Sequence, residues 1–175
     1  MMDIPVPASL EASLVPVAAP AAPSKPVPDF SSVASDRNAM EHGIPVMVDE
    51  DKWVFVAHNS AKTYQEIVKR LRKPYDKLLS VGGKIPEDKA KEINVRAAAE
   101  GLLMGWAGFT DAAGNPVEYT PEFGYDLLNA SEDTREKVIN TAFTTESYRR
   151  AAVDASKNAF ESWLAGQPNG QATPN

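Results

Sequence analysis

Half of the 14 prolines in this chain lie between Pro5 and Pro28. Each removes a backbone donor and fixes φ near about −65°, so this stretch can build neither a helix interior nor a central strand. Val15 to Phe30, VPVAAPAAPSKPVPDF, has the composition of an Ala/Pro linker and is biased to polyproline II. Residues 1–43 are therefore expected to form a disordered arm, or a docking peptide that orders on a partner. A short helix around Pro7–Leu14, with Ser9, Glu11 and Ala12, is weakly signalled. The apolar N-terminus is not expected to be a leader, because Met1-Met2-Asp3 carries no basic residue and Pro5, Pro7, Pro16 and Pro20 interrupt it. Regular structure is thereby confined to residues 44–166, with 167–175 as a polar tail.

The remaining length suits one domain, and 43% hydrophobic residues allow an ordinary core. The chain has no cysteine, which excludes disulfides and thiolate metal sites. A net charge of −6 gives no general attraction to nucleic acid or to an anionic membrane. No run approaches the roughly 20 apolar residues needed to span a bilayer. A cytoplasmic protein is expected.

The periodicities predict a mainly α protein: a small helical domain of about five helices with a short N-terminal β-hairpin. Ile44, Val46 and Val48 alternate with Pro45 and Met47; Asp49-Glu50-Asp51 is a turn; Lys52–Ala57 is a β-branched and aromatic strand. Trp53 and Phe55 would share one face, Val54 and Val56 the other. Asn59 or Ser60 is placed to cap the next helix, with Thr63 and Glu66 at capping-box spacing. Tyr64, Ile67, Val68 and Leu71 then form one helical stripe, stopped or kinked at Pro74. Tyr75, Leu78, Leu79 and Val81 extend the apolar content up to Gly82-Gly83. Pro86 opens a helix carrying Ile93, Ala97, Ala98, Leu102 and Leu103. Its alanine-rich middle lets another helix approach closely.

Thr120-Pro121-Glu122 combines a cap, a proline at the first helical position and an acid, with Phe123, Leu127 and Leu128 as the buried face. Ser131 starts the next helix, with Val138, Ile139, Ala142 and Phe143 as core positions. Thr144 or Thr145 starts the last, in which Tyr148, Ala152, Ala155, Ala159 and Trp163 hold one stripe. Gly166 and Pro168 end it.

No motif of catalysis, cofactor or metal binding stands out. His42 and His58 lack HxxH or HExxH spacing, and Gly105 and Gly108 do not form a phosphate loop. Asp49, Glu50 and Asp51 lack the alternating ligands and later glutamate of a calcium loop. Lys69-Arg70-Leu71-Arg72-Lys73 is the one basic run, either a solvated helix face or a contact for an acidic partner.

Between these elements, Gly105 to Leu128 combines a large aromatic, Trp106, with flanking glycines, a polar turn around Gly114 and the helix start at Thr120. Trp106 is expected at the end of the preceding helix, with Val117 and Tyr119 pairing briefly with Ala107 and Phe109. Trp106, Gly108, Phe109, Asp111, Gly114, Val117, Tyr119, Thr120, Glu122, Leu127 and Leu128 form a string that resembles the tail assembly chaperones of tailed bacteriophages. The Tyr64–Lys73 helix with Arg70 and Lys73-Pro74, the Phe143–Tyr148 region and Lys157-Asn158 are similar to the same family, so the resemblance covers roughly residues 52–165.

The resemblance implies a non-enzymatic helical protein of the infected host's cytoplasm, absent from the mature virion. It would bind the tape measure protein and recruit tail tube subunits, with no cofactor, nucleic acid or membrane as partner. A longer frameshifted product is often made in that family. The faces around Ala97, Ala98 and Leu102, and around Ala152, Ala155 and Ala159, are expected to form a helix-binding groove, a self-association surface or close-packed core. The alternative is a structural virion component, such as a tail completion or head–tail joining protein.

Overall fold

A computed structural model of the chain describes residues 34–167. The proline-rich stretch up to Val33, the short helix considered near Leu10 and the tail from Pro168 lie outside the described residues. The order is α1 (Arg37–His42), β1 (Ile44–Asp49), β2 (Lys52–Val56), α2 (Lys62–Arg72), α3 (Asp76–Ser80), α4 (Glu87–Gly101), β3 (Leu103–Ala107), α5 (Pro121–Ala130), α6 (Glu132–Phe143) and α7 (Arg150–Gly166). Short 3₁₀ turns at Lys73–Tyr75 and Thr145–Tyr148 link α2 to α3 and α6 to α7. The protein is mainly α, and among the described residues five helices have ten residues or more.

The hairpin forms as its alternation demands, but it gains a third strand. The sheet order is β1-β2-β3, antiparallel throughout. Trp106 therefore lies in a strand, not at a helix end: Trp106 is opposite Val54, and Ala107 is opposite Trp53. α4 stops at Gly101 because the chain is then tied elsewhere, with Ala57 N–H donating to the Leu102 carbonyl at 2.7 Å. Gly101 also allows close approach to α2, since a Cβ there would lie 2.9 Å from Tyr64 Cα.

The period-2 alternation of β2 splits the core across the sheet. On one face Val54, Val56, Leu103 and Trp106 pack with Val95, Ala98 and Ala99 of α4, Leu102 directly after it, Leu128 of α5, and Val138 and Ala142 of α6. On the other face Trp53 and Ala107 meet Phe160 of α7, with Phe55, Trp163 and Leu164 against them. The Trp53 and Phe160 rings stand edge to face at 5.3 Å. Each fully buried aliphatic side chain contributes about 1.5–3 kcal/mol.

The caps predicted at Thr120 and Ser131 form, while a third, Asp36 accepting from Ala39 N–H at 3.0 Å, opens α1 inside the expected arm. Thr120 Oγ1 accepts from Phe123 N–H and Ser131 Oγ from Thr134 N–H, each at 3.2 Å. The start of α2 differs. Ala61 is its N-cap, without a side-chain cap, and Lys62 N–H donates instead to the Glu41 carboxylate of α1 at 3.2 Å. Ser60 is occupied by His58, and the Thr63–Glu66 capping box does not form.

The folded region also begins before Ile44. Ala39 of α1 is buried with Ile44, Tyr148 and Val153, and Ser35 bridges Arg149. This bridge explains why the last helix does not start at Thr144 or Thr145. Asp36 N–H donates to the Tyr148 carbonyl and Arg150 N–H to the Ala34 carbonyl, so Arg149 is extended and α7 starts after it. Its buried face is then Val153 and Phe160. The alanines Ala155 and Ala159 are exposed and Ala152 is half-buried. Phe123 and Phe143, expected in the core, are 49% and 54% exposed. They occupy the first turn of α5 and the last residue of α6, where the neighbouring elements end.

His58 is buried at this end of the sheet, edge-on to Tyr148 at 5.0 Å. Its Nδ1 is 2.7 Å from Ser60 Oγ and accepts Ser60 N–H at 3.2 Å. Burial lowers its pKa. The unfolded chain thus binds a proton to this residue at a pH where the native state does not. The contribution of His58 is full above its unfolded pKa of about 6.5 and is lost as pH falls from there toward the lower native value. Urea melts are expected to show stability falling as pH is lowered from about 7.5 to about 5.5, with part of the slope from this group. His58→Gln is expected to flatten that slope.

Candidate partner-docking site

The residues singled out between Gly105 and Leu128 come together as one packed corner. Trp106 Nε1 donates to the Val117 carbonyl at 2.7 Å. Its ring stacks on Phe109 at 4.5 Å and meets the Tyr119 ring edge-on at 5.3 Å. The Tyr119 hydroxyl donates to the carbonyl of Ala99, in the last turn of α4, where helix carbonyls lack an intrahelical donor. Burial, with help from Glu100 and Glu122, pushes the Tyr119 phenol well above its ordinary range, which keeps it a donor.

Asp111 closes the turn by accepting the N–H groups of Ala113 and Asn115 at 2.8 and 2.9 Å. The Asn115 side-chain amide also donates to it, and these bonds hold its carboxyl below the usual carboxylate range. Gly114 supplies φ +85°. Of the expected two-stranded ribbon, Val117 N–H to the Phe109 carbonyl and the Thr110–Pro116 bridge are present. Ala107 is paired with β2 instead. Trp106, Gly108, Gly114, Tyr119 and Thr120 thus fix the joint between α4, β3 and α5.

The two small-residue faces are not brought together. Ala97, Ala98 and Leu102 are about 1% exposed, so the α4 face is core within this chain and offers no groove. Gly101, Ala98 and Ala99 admit α2, the sheet and Tyr119 there, not a partner. Ala155 and Ala159 lie on the opposite side of α7 from its buried residues.

The open apolar surface lies elsewhere, at the end formed by α2, α3 and the first turns of α4. Tyr64, Ile67, Val68 and Leu71 do form the inner stripe of α2 that their spacing predicts, but each is only half-buried. α2 packs on α4, and neither α2 nor α3 contains a fully buried residue. The chain stops α3 with a Schellman turn, in which Gly83 N–H reaches the Leu78 carbonyl and Gly82 N–H the Leu79 carbonyl. The five-residue α3 cannot bury two consecutive leucines on one side. Leu78 is 39%, Leu79 42% and Val81 80% exposed.

Leu79, Ile85, Ala90 and Ile93 line a cleft of about 310 Å³, with Arg72 and Lys84 at its rim. A second cleft of about 230 Å³ shares Ile93 and continues along Leu71, Pro74 and Tyr75. Sequence reasoning missed this surface. The available signal was an apolar Leu78-Leu79-Val81 group in too short a helix, directly beside the basic run.

Among the described residues no group of three or more His, Asp or Glu is placed to hold a metal ion, and no helix is long and apolar enough to cross a membrane. No curated protein and no solved structure matches the chain. One family does, described as YdaY prophage protein, and its match spans residues 59–158, from the loop before α2 to the middle of α7. With more than half of the chain matched, and the corner and the α2–α4 end both inside the match, this protein belongs to the YdaY prophage protein family.

Proposed function

We propose that this phage-derived protein is a tail assembly chaperone. It holds an apolar helix of the tape measure protein in the host cytoplasm, helps recruit tail tube subunits around it, and leaves before the virion is complete. It does so without catalysis or a cofactor. The observation that carries the reading is the exposed apolar end at Leu78, Leu79 and Val81, continuous with a cleft floored by Ile85 and Ile93. A tape measure helix must cover its apolar stripe until the tube encloses it, and an apolar cleft between helices is suited to that. The string from Trp106 to Leu128, which resembles the tail chaperones, supports the same reading because it forms the rigid corner on which α4 is held.

Mass spectrometry of particles purified after prophage induction tests this. Tape measure and tube peptides are expected, and peptides of this chain are expected to be absent. Recovery of the chain at a stoichiometric level would replace the reading with that of a tail completion or head–tail joining protein.

A further inference from the structure

Charge is strongly segregated along this chain. Residues 69–84 carry six basic side chains and one acid, Asp76, a local charge of +5 in a chain of net −6. Arg70 pairs with Glu100. Lys69, Arg72, Lys73, Lys77 and Lys84 are in no ion pair among the described residues. The acids at this end are Glu66 and Asp76 beside Lys69 and Lys73, Glu92 at the second cleft, where Lys89 pairs with it, and Glu87 and Asp88 in the first turn of α4. The excess positive charge surrounds the exposed aliphatic group Leu78-Leu79-Val81, and Arg72 and Lys84 stand on the rim of the cleft beneath it.

We propose that the α2–α3–α4 cleft docks an acidic amphipathic helix of a partner protein. The partner's apolar stripe lies on Leu79, Ile85 and Ile93, and its flanking carboxylates meet Arg72 and Lys84. This deepens the chaperone reading and rests on it for the partner being a helix. Two features of the surface select this occupant. An aliphatic floor takes an apolar stripe, which a phosphate backbone does not offer. The basic rim repels the same rim of a second copy set face to face with it, and it favours a partner that brings carboxylates beside its apolar stripe.

The test uses the full chain and a labelled helical peptide of about 15–20 residues, with leucines at i, i+3, i+4 and i+7 and glutamates on the flanking positions. Fluorescence anisotropy is expected to register binding that weakens as salt rises from about 0.05 to 0.5 M. A peptide with lysines in place of the glutamates is expected not to bind. Leu79→Asp, and separately the exposed pair Arg72→Glu with Lys84→Glu, are each expected to weaken binding by about tenfold or more with an unchanged melting temperature. Equal binding of the two peptides, or variants that bind as well as the parent, would overturn the proposal. So would binding of duplex DNA that displaces the acidic peptide, or a gain of peptide affinity on deleting residues 1–33, which would identify the chain's own arm as the occupant. If the peptide binds as expected but tape measure protein does not co-purify, the functional reading fails and the docking chemistry stands. If tape measure protein co-purifies equally with both variants, the reverse holds.

Discussion

Trp106→Ala is expected to destabilise the protein by about 3–5 kcal/mol, as for other large aromatic truncations in a core. The indole is 8% exposed and joins three elements at once. From β3 it faces Val54, it stacks on Phe109, and its Nε1–H satisfies the Val117 carbonyl. Alanine leaves a cavity and an acceptor without its donor. Trp106→Phe retains most of the apolar area and loses the donor, so about 1–2 kcal/mol is expected. Urea denaturation of the two variants separates packing from hydrogen bonding. Equal losses would mean that the ring contributes little beyond its bond to Val117.

Gly108→Ala is expected to be of similar size, about 3–5 kcal/mol, through a different cause. Gly108 has φ +83°, and a Cβ there would lie 1.9 Å from the Asp51 carbonyl oxygen in the β1–β2 turn. That atom belongs to backbone and cannot swing aside as a side-chain tip can. The Trp163 ring closes the other side at 3.3 Å. Gly114 is the internal control: its φ is nearly the same, +85°, but a Cβ there would meet no atom within 4 Å. Gly114→Ala is expected to cost about 1–2 kcal/mol from backbone conformation alone. Thermal melts of both variants measure the difference, which is the contact of β3's end with the hairpin turn. Equal melting temperatures would show that the turn yields freely.

Features decided by neighbouring residues were legible in the sequence. The caps at Thr120 and Ser131, the α2 stripe from Tyr64 to Leu71 and the two faces of β2 follow from local chemistry and period. Features decided by distant partners were not. Leu103–Ala107 continues the apolar content of α4, and only its pairing with Trp53–Val56 makes it a strand. The face of α7 was misassigned because the break at Arg149 depends on Ala34–Asp36, far away in sequence. The alanines of α4 read equally as groove or as core, since low bulk suits both, and packing decided for core. The candidate site was legible only in part: the basic run was evident, but the exposure of Leu78, Leu79 and Val81 follows from how little of α4 lies beneath α3.

We propose that this prophage protein holds a tape measure helix through its α2–α3–α4 end. Co-expression of the tagged chain with the tape measure protein of the same prophage, followed by affinity purification, tests it most directly. The wild-type chain is expected to bring down tape measure protein in a defined complex, and the folded Leu79→Asp variant to lose it. Recovery of the well-folded wild-type chain without any tape measure protein would show that the α2–α3–α4 end does not hold it.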